Sequence, residues 1–389
     1  MFAAPTQTVS TGTTVACLLA FAGLTIIAGV ASAQSVAPGY QSNYTVFNLG
    51  TPPGVPQSLG GINFLDRDNL LIGGNANGVN AAIYRVPITR APNGDITGYA
   101  GNATLYCTAP QIDGGLFFFP NGTIGFTTYS NNTLQQVKPF QAAPARVTNL
   151  TALGVASSTG TGTIIPAGFN GAGNIIIGSY NASRWYILPF VEDENEPLIH
   201  IISPALSTSV AAGSGPEGIV YVPQGSPLFP NQSVLISEYG AGRVSAFAID
   251  NLGLPIPNTR TDFVTGLTGA EGGVLDPFTG QFLFSTFGGG GRVVVVRGFG
   301  SPVSTTRCQP ADIADDQGTY IPSFSVNNGV NEGDYNAFFN GYFLRLSAVD
   351  IANDNGEPRP PFGPAGTNTG VNEGDYNCFF NNFFMGCPS

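Results

Sequence analysis

The sequence predicts an all-β fold built from repeated units, followed by a small helical segment at the C-terminus. Only 10% of the 389 residues are charged, and the chain contains 53 Gly and 30 Pro. This composition favours strands joined by many turns over long charged helices. Strand-like apolar segments recur at a nearly constant interval before Cys308, and helix-like spacing of aromatic residues appears only after it. We therefore expect β-structure up to about residue 300 and helices only in the tail.

The first segment of the chain has the features of an export signal. Residues 15–31 form an apolar run that closes on Ala31-Ser32-Ala33, the small-x-small pattern that signal peptidases accept. We expect residues 1–33 to be a signal peptide; because no Lys or Arg precedes the run, an uncleaved anchor is the alternative. No second apolar stretch is long enough to span a bilayer. The sequence therefore predicts a secreted or cell-surface-associated protein.

A glycine-containing corner followed by an apolar strand occurs five times before the tail. The corners are 54, 53, 50 and 54 residues apart when they are aligned on one glycine each: Gly61, Gly115, Gly168, Gly218 and Gly272. A period of this length is typical of propeller blades with about four strands each. The sequence predicts a five-bladed β-propeller over residues 36–300, with a sixth blade in the irregular stretch 140–165 as the alternative.

Each corner is followed by a second and a third strand-like segment, separated by turn residues. These pairs are predicted at 69–73 and 82–86, 123–126 and 134–137, 174–179 and 185–188, 234–238 and 243–247, and 281–285 and 292–296. Outer strands have weaker patterns, for example Thr261-Asp-Phe-Val. The segment Tyr44-Thr-Val-Phe precedes the first corner and is predicted to supply the outer strand of the last blade, which closes the ring.

The corners carry the candidate site of the propeller. Because the innermost strand of each blade lines the central channel, the corner residues should meet at one mouth of that channel: Gly60, Asp113, Ala167, Glu217 and Glu271. Three of them are carboxylates, which repel one another unless a cation or a proton intervenes, and Ca²⁺ takes oxygen ligands of this kind. The alternative is that these acids cap strand amides near solvent.

Two of these corners, Gly215-Pro-Glu-Gly and Gly269-Ala-Glu-Gly, resemble the Glu-Gly-Pro strand openings of the gluconolactonase and senescence-marker propellers. In those families the glutamate ligates a catalytic divalent metal. The resemblance implies a metal-dependent lactonase or related hydrolase as the alternative function.

The scarcity of His and Lys argues for binding rather than catalysis. A Ser-His-Asp triad would need His200, which is the single histidine, and a site with several histidine ligands is impossible. His200 lies in the strand-like run Leu198–Ile202 and is interpreted as a structural strand residue. The sequence leaves open whether the protein is an enzyme or a binding protein, and it favours a binding protein.

The acidity of the chain is concentrated in its tail. From Cys308 onward there are ten acids and two bases, a net charge of −8, and the preceding part, with fourteen acids and eleven bases, has −3. This distribution favours cation binding in the tail and argues against a nucleic-acid partner. Four cysteines follow the signal and allow three pairings. We favour a Cys308–Cys387 bridge, because these residues flank one compact segment, and then a Cys107–Cys378 bridge.

The tail contains an internal duplication. Residues 328–339 and 369–380 are identical at ten of twelve positions, and 311–318 is repeated with changes as 349–356. After Asp334 the apolar side chains keep the spacing of one helix face, and the same spacing follows Asp375. The apolar positions are Tyr335, Phe338, Phe339, Tyr342, Phe343 and Leu346 in the first copy, and Tyr376, Phe379, Phe380, Phe383 and Phe384 in the second.

These paired acidic loops and helices resemble dockerin modules, in particular the Cys-flanked C-terminal variant of exported planctomycete-type proteins. Gly329-Val-Asn-Glu-Gly-Asp334 and Gly370-Val-Asn-Glu-Gly-Asp375 match the second half of the dockerin loop, although 319–328 and 357–369 interrupt the two loops. The resemblance implies a linker at 301–307 and a helical Ca²⁺-binding domain at 308–389, with these ligands: Asp312, Asp316, Asn331, Asp334, Asp350, Asp354, Asn372 and Asp375.

By the same resemblance, the tail would anchor the chain to a cell-surface or extracellular protein partner, and the propeller would display a recognition surface. Metal-free acidic loops are the alternative for the tail. A lyase or carbohydrate-binding propeller is a third possibility, because dockerins often accompany polysaccharide-active proteins.

Overall fold

A computed structural model describes Met1 and residues 34–210, 215–299, 307–315, 318, 320, 329–359, 363 and 366–387. The predicted signal peptide lies outside the described residues apart from Met1, as do Asp316 and, apart from Arg307, the predicted linker. The strands and helices described below all belong to the compact unit Ala33–Ser389. Within the described part of the chain, no helix is long and apolar enough to cross a membrane.

The strands are grouped by blade. Two short strands come first, β1 (Ser35–Val36) and β2 (Thr45–Gly50). Blade 1 contains β3 (Ile62–Asp66), β4 (Asn69–Gly74), β5 (Ala82–Arg90), β6 (Ile96–Tyr99) and β7 (Thr104–Thr108). Blade 2 contains β8 (Ile112–Phe118), β9 (Ile124–Thr128), β10 (Thr133–Val137) and β11 (Arg146–Asn149).

Blade 3 contains β12 (Thr159–Ile164), β13 (Ile175–Ser179), β14 (Arg184–Leu188), a hairpin of β15 (Phe190–Glu192) and β16 (His200–Ile202), and β17 (Ser207–Val210). Blade 4 contains β18 (Pro216–Val222), β19 (Ser233–Glu238), β20 (Arg243–Ala248) and β21 (Thr261–Thr265). Blade 5 contains β22 (Ala270–Leu275), β23 (Phe282–Thr286) and β24 (Val293–Arg297). Single 3-10 turns occur at Thr151–Leu153, Tyr239–Ala241, Pro257–Thr259 and Ser347–Val349.

The pairing of these strands confirms the five-bladed propeller. Each blade is an antiparallel sheet that follows the chain order from the inner strand outward, with two exceptions. In blade 1 both β6 and β7 pair with β5, and in blade 3 β17 pairs with β14 while β15 and β16 form a separate two-stranded sheet. β2 pairs with β24 as the outer strand of blade 5, as predicted, and β1 extends blade 4 by pairing with β21. The N-terminal segment therefore joins the last two blades. A sixth blade at 140–165 is wrong, because this stretch supplies the outer strand β11 and the inner strand β12.

The inner strand of blade 3 corrects one predicted corner. The predicted corner at Ala167 and Gly168 lies after β12, which begins at Thr159. The segment Thr159-Gly-Thr-Gly-Thr has no run of apolar residues like those that follow the other corners. Its glycines lie where blade 3 closely approaches the neighbouring blades. A Cβ atom at Gly160 would lie 2.2 Å from the carbonyl oxygen of Pro216, a distance that excludes any side chain.

The core of the propeller lies between the blades. The second strands are buried along their whole length, for example β4, β13 and β23. One cluster joins blades 4 and 5 to the N-terminal segment through Tyr44, Phe263 and Phe282. Burial of both faces explains why these strands read as continuous apolar runs rather than alternating ones.

The tail contains two helices that begin in the same way. They are α1 (Glu332–Leu344) and α2 (Glu373–Phe383). Asn331 accepts a hydrogen bond from the Gly333 amide, and Asp334 accepts one from the Asn331 amide. Asn372 and Asp375 repeat this capping box. The duplicated sequence therefore folds as a duplicated structure with satisfied helix N-termini.

The predicted aromatic helix faces divide into a buried and an exposed part. Phe338 and Phe379 are buried and stack with ring centroids 3.9 Å apart. Tyr342 and Phe383 pack against these two buried rings. The other rings follow a second line along each helix, and the two lines meet where Phe339 and Phe380 lie 5.8 Å apart. We call this second set the aromatic face; it consists of Tyr335, Phe339 and Phe343 of α1, Tyr376 and Phe380 of α2, and Phe384 directly after α2.

The predicted Cys308–Cys387 disulfide is present and closes the tail. The predicted Cys107–Cys378 bridge is wrong, because both are buried free thiols. Cys107 packs in the core at blades 1 and 2, whereas Cys378 packs in the separate core of the tail. A disulfide needs Cα atoms within about 7 Å of each other, and these two cores do not bring the residues together.

Candidate functional site at the channel mouth

The candidate site starts at a shared irregularity of the inner strands. The first residue of each inner strand in blades 2 to 5 pairs with the last residue of the second strand, as Ile112–Thr128, Thr159–Ser179, Pro216–Glu238 and Ala270–Thr286. Directly after this pair the register shifts in all four blades. A bulge redirects the side chain at the shift, and the residues there are Asp113, Gly160, Glu217 and Glu271.

The structure brings the three predicted propeller carboxylates together. Each of Asp113, Glu217 and Glu271 offers an oxygen that lies within 4.8 Å of those of the other two. The residues are 2%, 5% and 1% exposed. Among the described residues, Asp113 Oδ2, Glu217 Oε2 and both carboxylate oxygens of Glu271 have no hydrogen-bond partner outside the cluster. Within it, Glu271 and Asp113 share a hydrogen bond. We call these three residues the mouth cluster.

Two glycines leave the space that the mouth cluster occupies. A Cβ atom at Gly160 would lie 2.4 Å from Glu217 Oε2, and a Cβ at Gly60 would lie 2.8 Å from the backbone oxygen of Asp113. Blades 1 and 3 therefore place a glycine, and no side chain, beside the mouth cluster. The carboxylates of the other three blades fill the axis instead.

Burial and mutual repulsion disfavour the charged forms of the mouth cluster. Burial raises the pKa of Asp113 to about 7, although hydrogen bonds from Glu271, Asn77 and the Gly114 amide oppose the shift. Burial, and then the Asp113 charge, raise the pKa of Glu217. Burial, the charges of Glu217 and Asp113, and the hydrogen bond that Glu271 shares with Asp113 raise the pKa of Glu271 as well. A bound cation would reverse these shifts, because it stabilises the charged carboxylates.

Other buried carboxylates of the propeller are matched by arginines. Glu238 is 1% exposed, like Glu271, but it accepts hydrogen bonds from Arg243 and Arg260 at 2.7 and 2.6 Å and from Ser245. Burial alone would raise the pKa of Glu238, and these bonds outweigh it and lower the pKa. Asp276 is likewise paired with Arg90 at 2.6 Å. In the described part of the chain, the mouth cluster has no such ion pair.

Further polar atoms lie beside the mouth cluster. The Asn77 side chain hydrogen-bonds to Asp113, and its buried Oδ1 atom has no partner. The buried Ser237 hydroxyl is also unpartnered and lies 3.0 Å from the position of a Cβ at Gly218, next to Glu217. These atoms offer oxygen ligands in addition to the carboxylates, as a hard cation requires.

Four aromatic residues at the same end of the blades as the mouth cluster were not predicted. One aromatic residue follows the second strand in each of blades 2 to 5. Their backbone amides donate equivalent hydrogen bonds to the residue near the start of the inner strand, at 3.0, 2.7, 3.0 and 2.8 Å. We call these residues the aromatic collar: Tyr129, Tyr180, Tyr239 and Phe287. The signal in the sequence is an aromatic residue one to three positions after each predicted second strand of these blades.

The aromatic collar lies in the electric field of the mouth cluster. Burial first, and then the charges of Glu217 and Glu271, raise the pKa of Tyr180. Burial is also the main cause that raises the pKa of Tyr239, followed by charges that include those of Glu271 and Glu217. The Tyr239 ring centroid is 6.1 Å from that of Tyr180 and 5.9 Å from that of Phe287. Three of the four collar rings are therefore neighbours, and two of them feel the charges of the cluster.

His200 is a structural residue. It is buried in β16, its ring stacks on Phe119 at 4.1 Å between centroids, and Phe190 packs edge-on against it. The Gln136 side chain donates a hydrogen bond to the His200 carbonyl and accepts one from the His200 amide. Burial lowers the pKa of His200 to about 4, so the ring is neutral at physiological pH and has no role at the channel mouth.

The predicted tail ligands are placed in two different situations. Asp334 Oδ1 accepts from the Ile313 and Ala314 amides at 2.6 and 2.8 Å, and Asp375 accepts identically from Ile351 and Ala352. Together with the capping bonds, each carboxylate accepts three backbone hydrogen bonds. These bonds tie each loop to its helix. Asn331 and Asn372 are helix caps.

The other predicted ligands lie in the loops. Asp312 accepts from the Cys308 amide, Asp350 pairs with Arg359 at 2.9 Å, and Asp354 accepts from Thr369 and Asn372. Among the described residues, no three of the predicted tail carboxylates converge as the mouth cluster does. Calcium binding by the tail stays a prediction.

Comparison with known proteins shows no family. No protein-family model and no curated protein matches the chain. Similar solved structures include the holo PQQ domain of pyranose dehydrogenase from Coprinopsis cinerea, with 12% identity, TM-score 0.37 and coverage of 68% of this chain and 97% of that chain. An auxiliary nutrient binding protein from Bacteroides ovatus has 13% identity, TM-score 0.36 and coverage of 66% and 76%. Glutaminyl cyclase from Myxococcus xanthus has 9% identity, TM-score 0.35 and coverage of 65% and 95%.

Proposed function

We propose that this chain is an exported binding protein in which the β-propeller takes a cation at the channel mouth and the dockerin-like tail anchors it to an extracellular partner. The observation that carries the proposal is the mouth cluster, in which three buried carboxylates converge without a basic partner among the described residues. Burying unmatched carboxylates costs several kcal/mol per charge. A cation that binds between them offsets this cost, and Ca²⁺ is the metal ion that the sequence predicts.

The test compares Ca²⁺-dependent stability in two variants of buried glutamates. We expect Ca²⁺ at about one hundred times its Kd to stabilise the propeller by about 2.7 kcal/mol, measured as a rise in the Tm of the propeller transition over the protein in EGTA. Glu271→Gln should raise this Tm in EGTA, because it removes an acid whose charged form burial disfavours, and should abolish the Ca²⁺ increment of the propeller. Glu238→Gln is the matched control: it should lower Tm in both conditions and keep the increment. A Ca²⁺ increment of the propeller transition that survives in Glu271→Gln contradicts the propeller site.

A second candidate function is a metal-dependent lactonase or related hydrolase. It is favoured by the Asn77 and Ser237 oxygens beside the mouth cluster, which add to the oxygen ligands available for a divalent metal. Lactone hydrolysis that requires a divalent metal and disappears in Glu217→Gln would establish it. Metal binding without hydrolysis of any lactone in a panel leaves the binding function.

Tail anchoring is proposed to use the aromatic face. Phe343 and Phe384, at its two ends, are 77% and 79% exposed, and exposed apolar patches of this kind mark interaction sites. The tail carries a net charge of −8, so an anionic lipid surface would repel it. We therefore commit to a protein partner at the cell surface, with an apolar site rimmed by basic residues.

The anchoring test measures binding of the full chain to the surface of producing cells. Binding should fall at least tenfold in the Phe343→Ser/Phe384→Ser double variant and after protease treatment of the cells. Phe140→Ser, an exposed aromatic residue of the propeller, is the control and should bind normally. Binding that survives protease treatment, or that is reproduced by anionic vesicles, contradicts a protein partner.

A further inference from the structure

The oxygens of the mouth cluster that have no partner outside it suit an ammonium group. A primary ammonium has three N–H donors in a tetrahedral arrangement, and charge-assisted N–H···O bonds are about 2.8 Å long. Three acceptors around such a nitrogen lie about 4.6 Å from one another by this geometry. Asp113, Glu217 and Glu271 each offer one oxygen, and these lie within 4.8 Å of one another. One donor is thus available for each carboxylate.

The aromatic collar offers ring faces and apolar surface, which an ammonium on an alkyl stem can contact and which a bare metal ion does not use. Tyr180 packs over Gly215, where a Cβ atom would lie 2.1 Å from the ring, and Tyr239 packs over Gly269, with 2.9 Å to the ring. Each glycine precedes a cluster glutamate by two residues and has positive φ. The rings are thus seated directly beside Glu217 and Glu271. Aromatic rings stabilise a nearby ammonium by cation–π attraction and stabilise methylene groups by apolar contact.

The charges around the mouth restrict the ligand further. The cluster is acidic, and none of the described Lys or Arg residues pairs with it. An anionic ligand would be repelled, and a neutral ligand would leave the buried carboxylates uncompensated. A cation that carries an apolar stem satisfies both the carboxylates and the collar.

We propose that the channel mouth binds a primary ammonium group on an aliphatic stem, with the mouth cluster accepting its three N–H donors and the aromatic collar surrounding the stem. This inference rests on the proposed function, since it names the cation that the propeller takes. The stem belongs either to a free alkylamine or to a lysine side chain of another protein.

The experiment uses the full chain at pH 7.5 and measures Tm and binding heat. The compounds are hexylamine, tetramethylammonium, 1-hexanol, a peptide with one internal lysine, and CaCl₂. We expect hexylamine to raise Tm, tetramethylammonium to act weakly because it has no N–H donor, and 1-hexanol to have no effect. Stabilisation by the lysine peptide at lower concentration than hexylamine assigns the stem to a protein; the reverse assigns it to a free amine.

The outcomes separate this inference from the proposed function. If Ca²⁺ stabilises the chain through Glu271 and hexylamine does not, the cation is a metal ion and the ammonium inference is wrong. If neither cation stabilises the chain, the proposed function is wrong as well. Equal effects of hexylamine and 1-hexanol would also overturn the inference, because the charge would not be recognised.

Collar variants provide the second readout. Tyr239→Ala should weaken hexylamine binding by about two- to thirtyfold, the range of one cation–π contact, and should leave any Ca²⁺ increment unchanged. Tyr239→Phe should restore hexylamine binding. If Tyr239→Ala does not fold, Phe287→Leu takes its place and should likewise weaken hexylamine binding. Phe140→Ala is the control. Hexylamine binding that is unchanged by both collar variants contradicts the proposed role of the collar.

Discussion

Asp334 and Asp375 hold the loops of the tail to its helices. Each carboxylate accepts three backbone N–H bonds, two from the preceding loop and one from the residue that caps its helix. Burial raises the pKa of both, and these bonds oppose the shift. These hydrogen bonds give both residues a structural role that does not depend on a bound metal ion.

Asp334→Asn should destabilise the tail even without calcium. An amide nitrogen in place of one oxygen would face backbone N–H groups, so we expect a loss of about 2–4 kcal/mol in the free energy of unfolding of the tail. Hydrogen exchange of α1 in EGTA measures it. Asp375→Asn should act equally on α2, and Asn340→Ala, at an exposed position of α1, is the control. A destabilisation seen only in the presence of Ca²⁺ would assign Asp334 to the metal instead.

His200 makes stability depend on pH. Its pKa is about 4 in the folded chain, against 6.5 for an unperturbed histidine, because of burial. The unfolded chain therefore binds a proton first as the pH falls, and the stability contributed by the neutral ring is present above pH 6.5 and is lost between pH 6.5 and 4. The loss is roughly 3 kcal/mol at most.

Chemical denaturation of wild type and His200→Gln at pH 7, 6, 5 and 4 measures this effect. Because His200 is the single histidine, the difference between the two pH profiles isolates its contribution from that of the carboxylates. Parallel profiles of the two proteins over this range would show that His200 does not titrate differently on folding.

At the scale of elements, the bulges at the start of the inner strands create the site. In blades 2, 4 and 5 the bulge carries a carboxylate, and in blade 3 it carries Gly160. The repeated acid–glycine corners were visible in the sequence. The blade 3 corner could not be recognised in the sequence, because Gly160 is required by close packing against blade 4 and no apolar pattern marks it.

Gly160→Ala should test this packing. The added Cβ would meet both Pro216 O and Glu217 Oε2, so we expect a destabilisation of about 1–3 kcal/mol and a loss of cation binding, measured by denaturation and by the Ca²⁺ or amine increment in Tm. Gly39→Ala, where nothing lies within 4 Å of the new atom, should change neither property. A Gly160→Ala protein with normal stability would contradict the close approach of blades 3 and 4.

The duplicated loop–helix units of the tail are the elements for which calcium binding was predicted. We expect EGTA to increase proteolysis within residues 308–389 while the propeller stays resistant, because bound Ca²⁺ would neutralise Asp312, Asp350 and Asp354 in the loops. Limited proteolysis with mass spectrometry provides the measurement. Equal cleavage of the tail with and without Ca²⁺ would support metal-free loops.

At the scale of the whole molecule, the Cys308–Cys387 bridge joins the two ends of the tail, 79 residues apart. A loop of this size corresponds to about 4–5 kcal/mol in the chain-entropy description. The Cys308→Ser/Cys387→Ser variant should therefore expose the tail to protease at lower denaturant concentration, with the propeller transition unchanged. Cys107→Ala, at a buried thiol without a bridge, should not affect the tail.

The sequence by itself determined the number of blades, most of their strands, the closing role of β2, the helical tail and the Cys308–Cys387 bridge. These features follow from local periodicity, from duplication and from residues that flank a segment. Tertiary structure decided which side chains meet. Asp113, Glu217 and Glu271 come from three blades, and their separation depends on ring closure, on bulges and on the missing Cβ atoms of Gly60 and Gly160. Likewise, the hydrogen bonds of Asp334 depend on the position of a loop twenty residues away, which no local pattern specifies.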